Sequence, residues 1–158
     1  MSLLSQKIAD AISAETGPGV LAVDDGAYQL TLQLRASNPD IGTSFHELTF
    51  GPVNPGHKTL DSLKSWADAL VARITYLGEP LAVQEVDTVC EQVQIRSEKP
   101  SERIDKLTYY ELLINAQGNA NLRRFVFDKK TRQRETVPCS LNCETLERLA
   151  EDLVRTAG

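Results

Sequence analysis

Three cysteines in 158 residues, at positions 90, 139 and 143, are too sparse and odd a set for an extracellular disulfide framework. They read as free, metal-free thiols that behave as small apolar side chains, and a reducing cytoplasmic setting fits them. Long apolar runs are missing too. Nothing approaches the ~18 residues of a membrane-spanning helix, so no membrane partner is expected. The N-terminal MSLLSQKIAD has no basic patch ahead of an apolar core, and Ser5, Gln6, Lys7 and Asp10 interrupt it, so it does not read as a secretory signal. Positive charge is in deficit, with 17 Lys and Arg against 22 Asp and Glu. That balance argues against nucleic acid as a partner. Internal repeats and low-complexity tracts are absent from the sequence, and its length allows a core without staples.

What is present is periodic. Leu4, Ile8, Ala11 and Ile12 predict a helix over 3–14 that Gly17 and Pro18 stop. VLAV (20–23), the turn Asp24-Asp25-Gly26 and the alternating YQLTLQLR (28–35) predict a hairpin, followed by a strand over 44–50. Thr59 is the expected cap of a second helix with an apolar stripe from Leu63 through Trp66 and Leu70 to Ile74. Strands are expected over 81–86, 89–96, 109–115 and 122–127, with a short one ahead of Pro138. RSEKPSERIDK (96–106) reads as a charged loop. The last helix is the plainest element. Asn142 caps it, Leu141 and Leu146 are spaced as a staple, and Leu146, Leu149, Ala150, Leu153 and Val154 form one face. The order α-βββ-α-βββββ-α predicts a single α+β domain over 1–158. Its sheet is an antiparallel one of about seven or eight strands with three helices on one face.

Four motifs bear on function. FGPVNPGHKTL (50–60) resembles a phosphate-cradling loop with its lysine displaced by one residue, and Pro52 and Pro55 each remove a backbone donor. It is read as a connection into the Thr59-capped helix, and no cofactor is expected. RRFVFDKKTRQRE (123–135) carries a local charge of +4 on an otherwise acidic chain. It lacks aromatic interleaving for stacking bases, so an acidic protein is the better partner. Cys139-x3-Cys143 lacks the second ligand pair of a structural zinc site. His46-Glu47 opens like a metalloprotease motif but has Phe50 where the second histidine belongs, and strict alternation would send the two side chains to opposite faces.

These features predict a small cytoplasmic binding or interaction protein, a dimeric adaptor or chaperone-like module. In element order, size and acidity the chain resembles the type III secretion chaperone class, which implies dimers that bind partner protein segments. No residue motif carries that likeness, and the strands after the second helix exceed it. The alternative is a small-ligand binder or enzyme with a pocket between sheet and helices; no motif assigns a catalytic residue. Apolar residues on both sides of 109–115 and 122–127 ask for cover on both sides, which a second copy would supply as a homodimer. Tyr110, Leu112, Ile114, Arg124, Lys129, Lys130, Arg132 and Arg134 are the candidate partner-binding residues.

Overall fold

The computed structural model describes residues 2–13 and 16–158. Ser2 caps α1 (Leu3–Ala11), its hydroxyl accepting the Ser5 N–H at 3.1 Å, and Leu4, Ile8 and Ile12 enter the core. The helix stops at Ala11, ahead of the Gly17–Pro18 stop read from the sequence; Ala14 and Glu15 lie outside the described residues. The strands β1 (Gly19–Asp24), β2 (Tyr28–Asn38) and β3 (Gly42–Pro52) then form an antiparallel meander. Its first turn is built as its residue types require. Gly26 takes φ +89°, and the Asp25 carboxylate accepts the Ala27 and Tyr28 N–H groups.

Thr59 caps α2 (Leu60–Arg73) through the Ser62 N–H. After it come β4 (Leu81–Asp87), β5 (Gln92–Ser97), β6 (Ser101–Arg103), β7 (Lys106–Asn115), β8 (Ala120–Asp128), β9 (Arg134–Val137) and β10 (Cys139–Leu141). The chain ends in α3 (Cys143–Ala157), capped by the Asn142 side chain. The main path of the sheet runs β1-β2-β3-β8-β7-β5-β4, with every neighbouring pair antiparallel. The fold is therefore α+β, as the sequence predicts, but with more strands after α2 than the five read there.

Two of the extra strands have physical reasons. The charged loop over 96–106 holds β6, which pairs with the start of β7 through a turn at Ile104 and Asp105. β3 and β8 pair only at Leu48–Leu122, Thr49–Asn121 and Phe50–Ala120 and then diverge. The segment Arg134–Leu141 fills the wedge, β9 pairing with β8 and β10 with β3. Pro138, which has no N–H to give a ladder, is where it changes partners.

The helices form a layer over one sheet face. α1 lies by β1 and β2, α3 touches β3 and packs against both other helices, and α2 lies against β4, β5 and β7. Their apolar stripes meet Leu30, Leu32, Phe50, Ile95, Leu112 and Leu122 in one core cluster. Asp152 on α3 joins α2 to it, accepting the Tyr76 hydroxyl at 2.8 Å and Arg73 Nη1 at 3.2 Å. Burial, then the Asp152 carboxylate, pushes the Tyr76 phenol pKa upward.

Alternation fails once inside the meander. Phe45 and Leu48 both enter the core, so exposed His46 and half-buried Glu47 occupy a bulge opposite Gln33. The two residues do not alternate in and out, which corrects the expectation drawn from a regular strand.

Candidate partner-binding face

The face of the sheet away from the helices carries the most concentrated charge chemistry of the molecule. Paired residues of antiparallel strands share a face, so the pairs Leu107–Phe127, Tyr109–Phe125, Glu111–Arg123 and Leu113–Asn121 of β7 and β8 all lie on this side. Gln94 and Arg96 join them from β5, and Arg134 from β9.

Glu111 is the centre. It is 3% exposed, and three arginines converge on it. Arg134 Nη1 donates to its Oε2 at 2.8 Å, Arg96 Nε lies 3.5 Å away, and Arg123 Nη2 is 3.7 Å from Oε1. Gln94 Nε2 adds a second hydrogen bond, donating to Oε2 at 3.1 Å. One carboxylate thus serves three guanidiniums, and the cluster keeps a charge of about +2 because arginine does not deprotonate in proteins. Arg96 Nε is buried with no hydrogen-bond partner. Hydrogen bonds to the Tyr109 hydroxyl and to Glu111 hold Arg134 more firmly protonated, against desolvation.

The same arginines supply the cover that the apolar residues of this face require. Tyr109 and Phe125 stack with centroids 5.9 Å apart. Arg96 lies over Tyr109 at 5.2 Å, and Arg123 and Arg134 lie over Phe125 at 5.0 and 4.0 Å. Cation–π contact and the aliphatic stems of arginine both suit that role. As a result Tyr109 and Phe125 are only 6% and 4% exposed in a single copy.

The candidate residues read from the sequence separate in three directions. Tyr110, Leu112 and Ile114 face the helices and are buried in the core, so their side chains are not available to a partner; register places them opposite Arg124, Leu122 and Ala120. Arg124 shares that inner side. Its Nη2 meets Glu79 at 3.0 Å, its guanidinium lies over the Tyr110 ring at 4.2 Å, and Glu79 also accepts the Ser97 and Ser101 hydroxyls. Lys129 and Lys130 stand at the hairpin tip, paired with Glu102 and Asp105 of the β6–β7 hairpin. Arg132 occupies the exposed turn at φ +59°. Only Arg134 reaches the open face. Sequence reasoning missed Glu111, Arg96 and Arg123 as one constellation. The available signal was a single carboxylate inside the apolar run YYELLI.

The near-phosphate loop is occupied by its own fold. The Gly56 and Lys58 N–H groups donate to the Gln117 and Ala116 carbonyls, and Lys58 Nζ caps the end of α3 at the Ala157 carbonyl, 3.0 Å away. Cys139 is buried, and desolvation pushes its thiol up to about 12, whereas Cys90 is exposed. Among the described residues no three His, Cys, Asp or Glu side chains gather as a metal site, and no helix is long and apolar enough to cross a membrane. A cavity of about 380 Å³ lies between α2 and the start of β4, lined by Val71, Ile74, Thr75, Gly78, Glu79, Pro80 and Leu81. No family model, curated protein or solved structure matches the chain.

Proposed function

We propose that the chain is a small binding protein whose open sheet face takes an acidic segment of a partner protein. The observation that carries this reading is the sharing of one buried carboxylate, Glu111, among Arg96, Arg123 and Arg134. The surplus guanidinium donors match carboxylates in geometry and charge, and they are already held in place by the rings beneath them. Carboxylates flank the cluster on both sides, Glu47 on β3 and Glu85 on β4. They disfavour a continuous polyanion such as nucleic acid and favour discrete acidic side chains spaced along a peptide.

Fluorescence anisotropy with a labelled peptide of alternating glutamate and alanine tests it. Binding is expected at about 20 mM salt, weakening at about 200 mM as the charges are screened. The Arg96→Ala, Arg123→Ala double variant should weaken it at least about tenfold, the scale of one lost charge-assisted contact. No binding at low salt, or binding indifferent to these substitutions, refutes the reading.

The cavity between α2 and β4 favours a second reading, a small apolar ligand, because its volume falls within the usual range for ligand sites. Filling it with Thr75→Trp separates the two. Peptide binding should survive that substitution, and loss of peptide binding would favour the cavity.

A further inference from the structure

The main path of the sheet ends in two edges of different character. At β4 a bulge between Val83 and Glu85 interrupts the ladder, and Glu85 and Asp87 place carboxylates along it. Bulges and charges of this kind discourage another chain from pairing. β1 has neither. All six residues pair with β2 in unbroken register, Gly19–Val23 carry no charge, and Val20 is 65% exposed. No strand lies beyond it among the described residues.

The outward-facing backbone groups can be assigned. The Asp25 N–H donates to the Tyr28 carbonyl, so along the ladder residues 19, 21 and 23 turn toward β2, and Val20, Ala22 and Asp24 turn away. The Asp24 carbonyl agrees, accepting Lys7 Nζ at 2.7 Å instead of a β2 donor. The groups of Val20 and Ala22 therefore line an open edge.

We infer that this edge pairs with β1 of a second copy, antiparallel about a two-fold axis at Leu21. The strand matches itself in that register. Leu21 faces Leu21 on the helix side and Val20 faces Ala22 on the open side, apolar against apolar. Centring on Ala22 instead would set Val20 against Asp24. In the Leu21 register the two Asp24 residues stand at opposite ends, each carboxylate already accepting the Gly26 N–H at 3.1 Å. The helix layer agrees. α1 lies beside β1, and half-exposed Leu3 sits one turn from Lys7, which reaches that border. Closure also follows. The pairing consumes the unguarded edge of each copy and leaves the two guarded β4 edges at the ends, so association stops at two. Both arginine-lined faces then lie on the same side of one continuous sheet.

Cross-linking tests the register. In a Cys90→Ser background, which removes the exposed thiol, Leu21→Cys places two thiols at a non-hydrogen-bonded pair with Cα atoms about 4.5 Å apart, within disulfide reach. Mild oxidation should cross-link Leu21→Cys and not Val23→Cys, whose counterpart is Gly19. Sedimentation of the unmodified chain should show about twice 17.4 kDa. Ala22→Pro deletes an outward N–H without touching a β2 bond, and it should raise the dimer dissociation constant at least about tenfold with circular dichroism unchanged. Val20→Lys, at an exposed position, should do the same and does not depend on the core tolerating a change at Leu21. A monomer at about 100 μM, where a modest interface should still associate, overturns the inference. So does equal cross-linking at 21 and 23, or a dimer indifferent to Ala22→Pro and Val20→Lys. Acidic-peptide binding by the Val20→Lys variant should be retained, because the two surfaces are separate.

Discussion

Arg134 Nη1 lies 2.8 Å from Glu111 Oε2 after passing 4.0 Å above the Phe125 ring, so a side chain from β9 crosses all of β8 to reach β7. This one contact joins three strands on the face that has no helices. It also explains why Phe125 is buried without a second layer. Lysine cannot reproduce it, having neither the planar fork nor the stacking surface. Arg134→Lys should cost about 1 kcal/mol in urea unfolding, and an unchanged midpoint would show that the crossing carries no stability.

Removing Glu111 should have the opposite electrostatic sense from removing any one arginine. Glu111→Ala leaves three guanidiniums facing one another over buried aromatics. The expected loss is about 2–4 kcal/mol, discounted from a fully buried pair because the arginines stay about a third exposed. Added salt should restore part of it. A variant as stable as the parent would mean that the cluster is solvated.

The turn between β6 and β7 is strained by its residue types. Ile104 has φ +36° and Asp105 φ +62°. A β-branched residue rarely adopts that region, whereas Asn-Gly is the preferred pair for such a turn. Ile104→Asn with Asp105→Gly should raise stability by roughly 1 kcal/mol, read as a higher melting temperature. A lower one would contradict the assignment.

Glu151 gives a pH dependence of known sign. Partial burial raises its pKa, but the Ser2 N–H, which it accepts at 2.6 Å, and the Arg155 side chain outweigh that and hold it at about 2. A depressed carboxylate contributes stability above its unfolded value of 4.5, and loses it as pH falls from there toward 2. Between pH 7 and 3, Glu151→Gln should flatten the stability profile by about 1–3 kcal/mol. Parallel profiles would remove this contribution.

The thiols should differ in reactivity. Exposed Cys90 should be labelled by an aromatic disulfide in native buffer, and Cys139 only on unfolding, because the thiolate is the reactive species and Cys139 is held far from it. Rapid labelling of Cys139 would place it nearer solvent than β10 allows.

How much of this was legible beforehand depended on whether the cause was local. The Asp25-Gly26 turn, the Thr59 and Asn142 caps and the stripe from Leu146 to Leu153 depend on neighbours a few residues away, and each is where periodicity puts it. The bulge at His46 and Glu47 left one trace, the uneven spacing of Phe45, Leu48 and Phe50. β6 left none, since its turn contradicts its own residue preferences. Glu111 was visible as a lone acid but not as a centre, because Arg96, Arg123 and Arg134 come from three different strands. The same limit misplaced Tyr110, Leu112 and Ile114. Alternation separated them from Tyr109 and Leu113 but could not say which side the helices would take.

The segment Arg134–Leu141 acts as a splice between two sheets that are otherwise nearly complete. Residues 19–52 and 81–128 each close their own meander, and only three residue pairs join β3 to β8 directly. The remaining backbone groups along that seam wait for a stretch that follows both meanders in the chain and is therefore synthesised after them. Until it arrives, two diverging edges stand open inside what will become the middle of the sheet. A chain cut after Asp128, which loses α3 as well, is accordingly expected to self-associate through that gap and through the core that α3 covers. A monodisperse monomer in light scattering would show that the splice closes nothing.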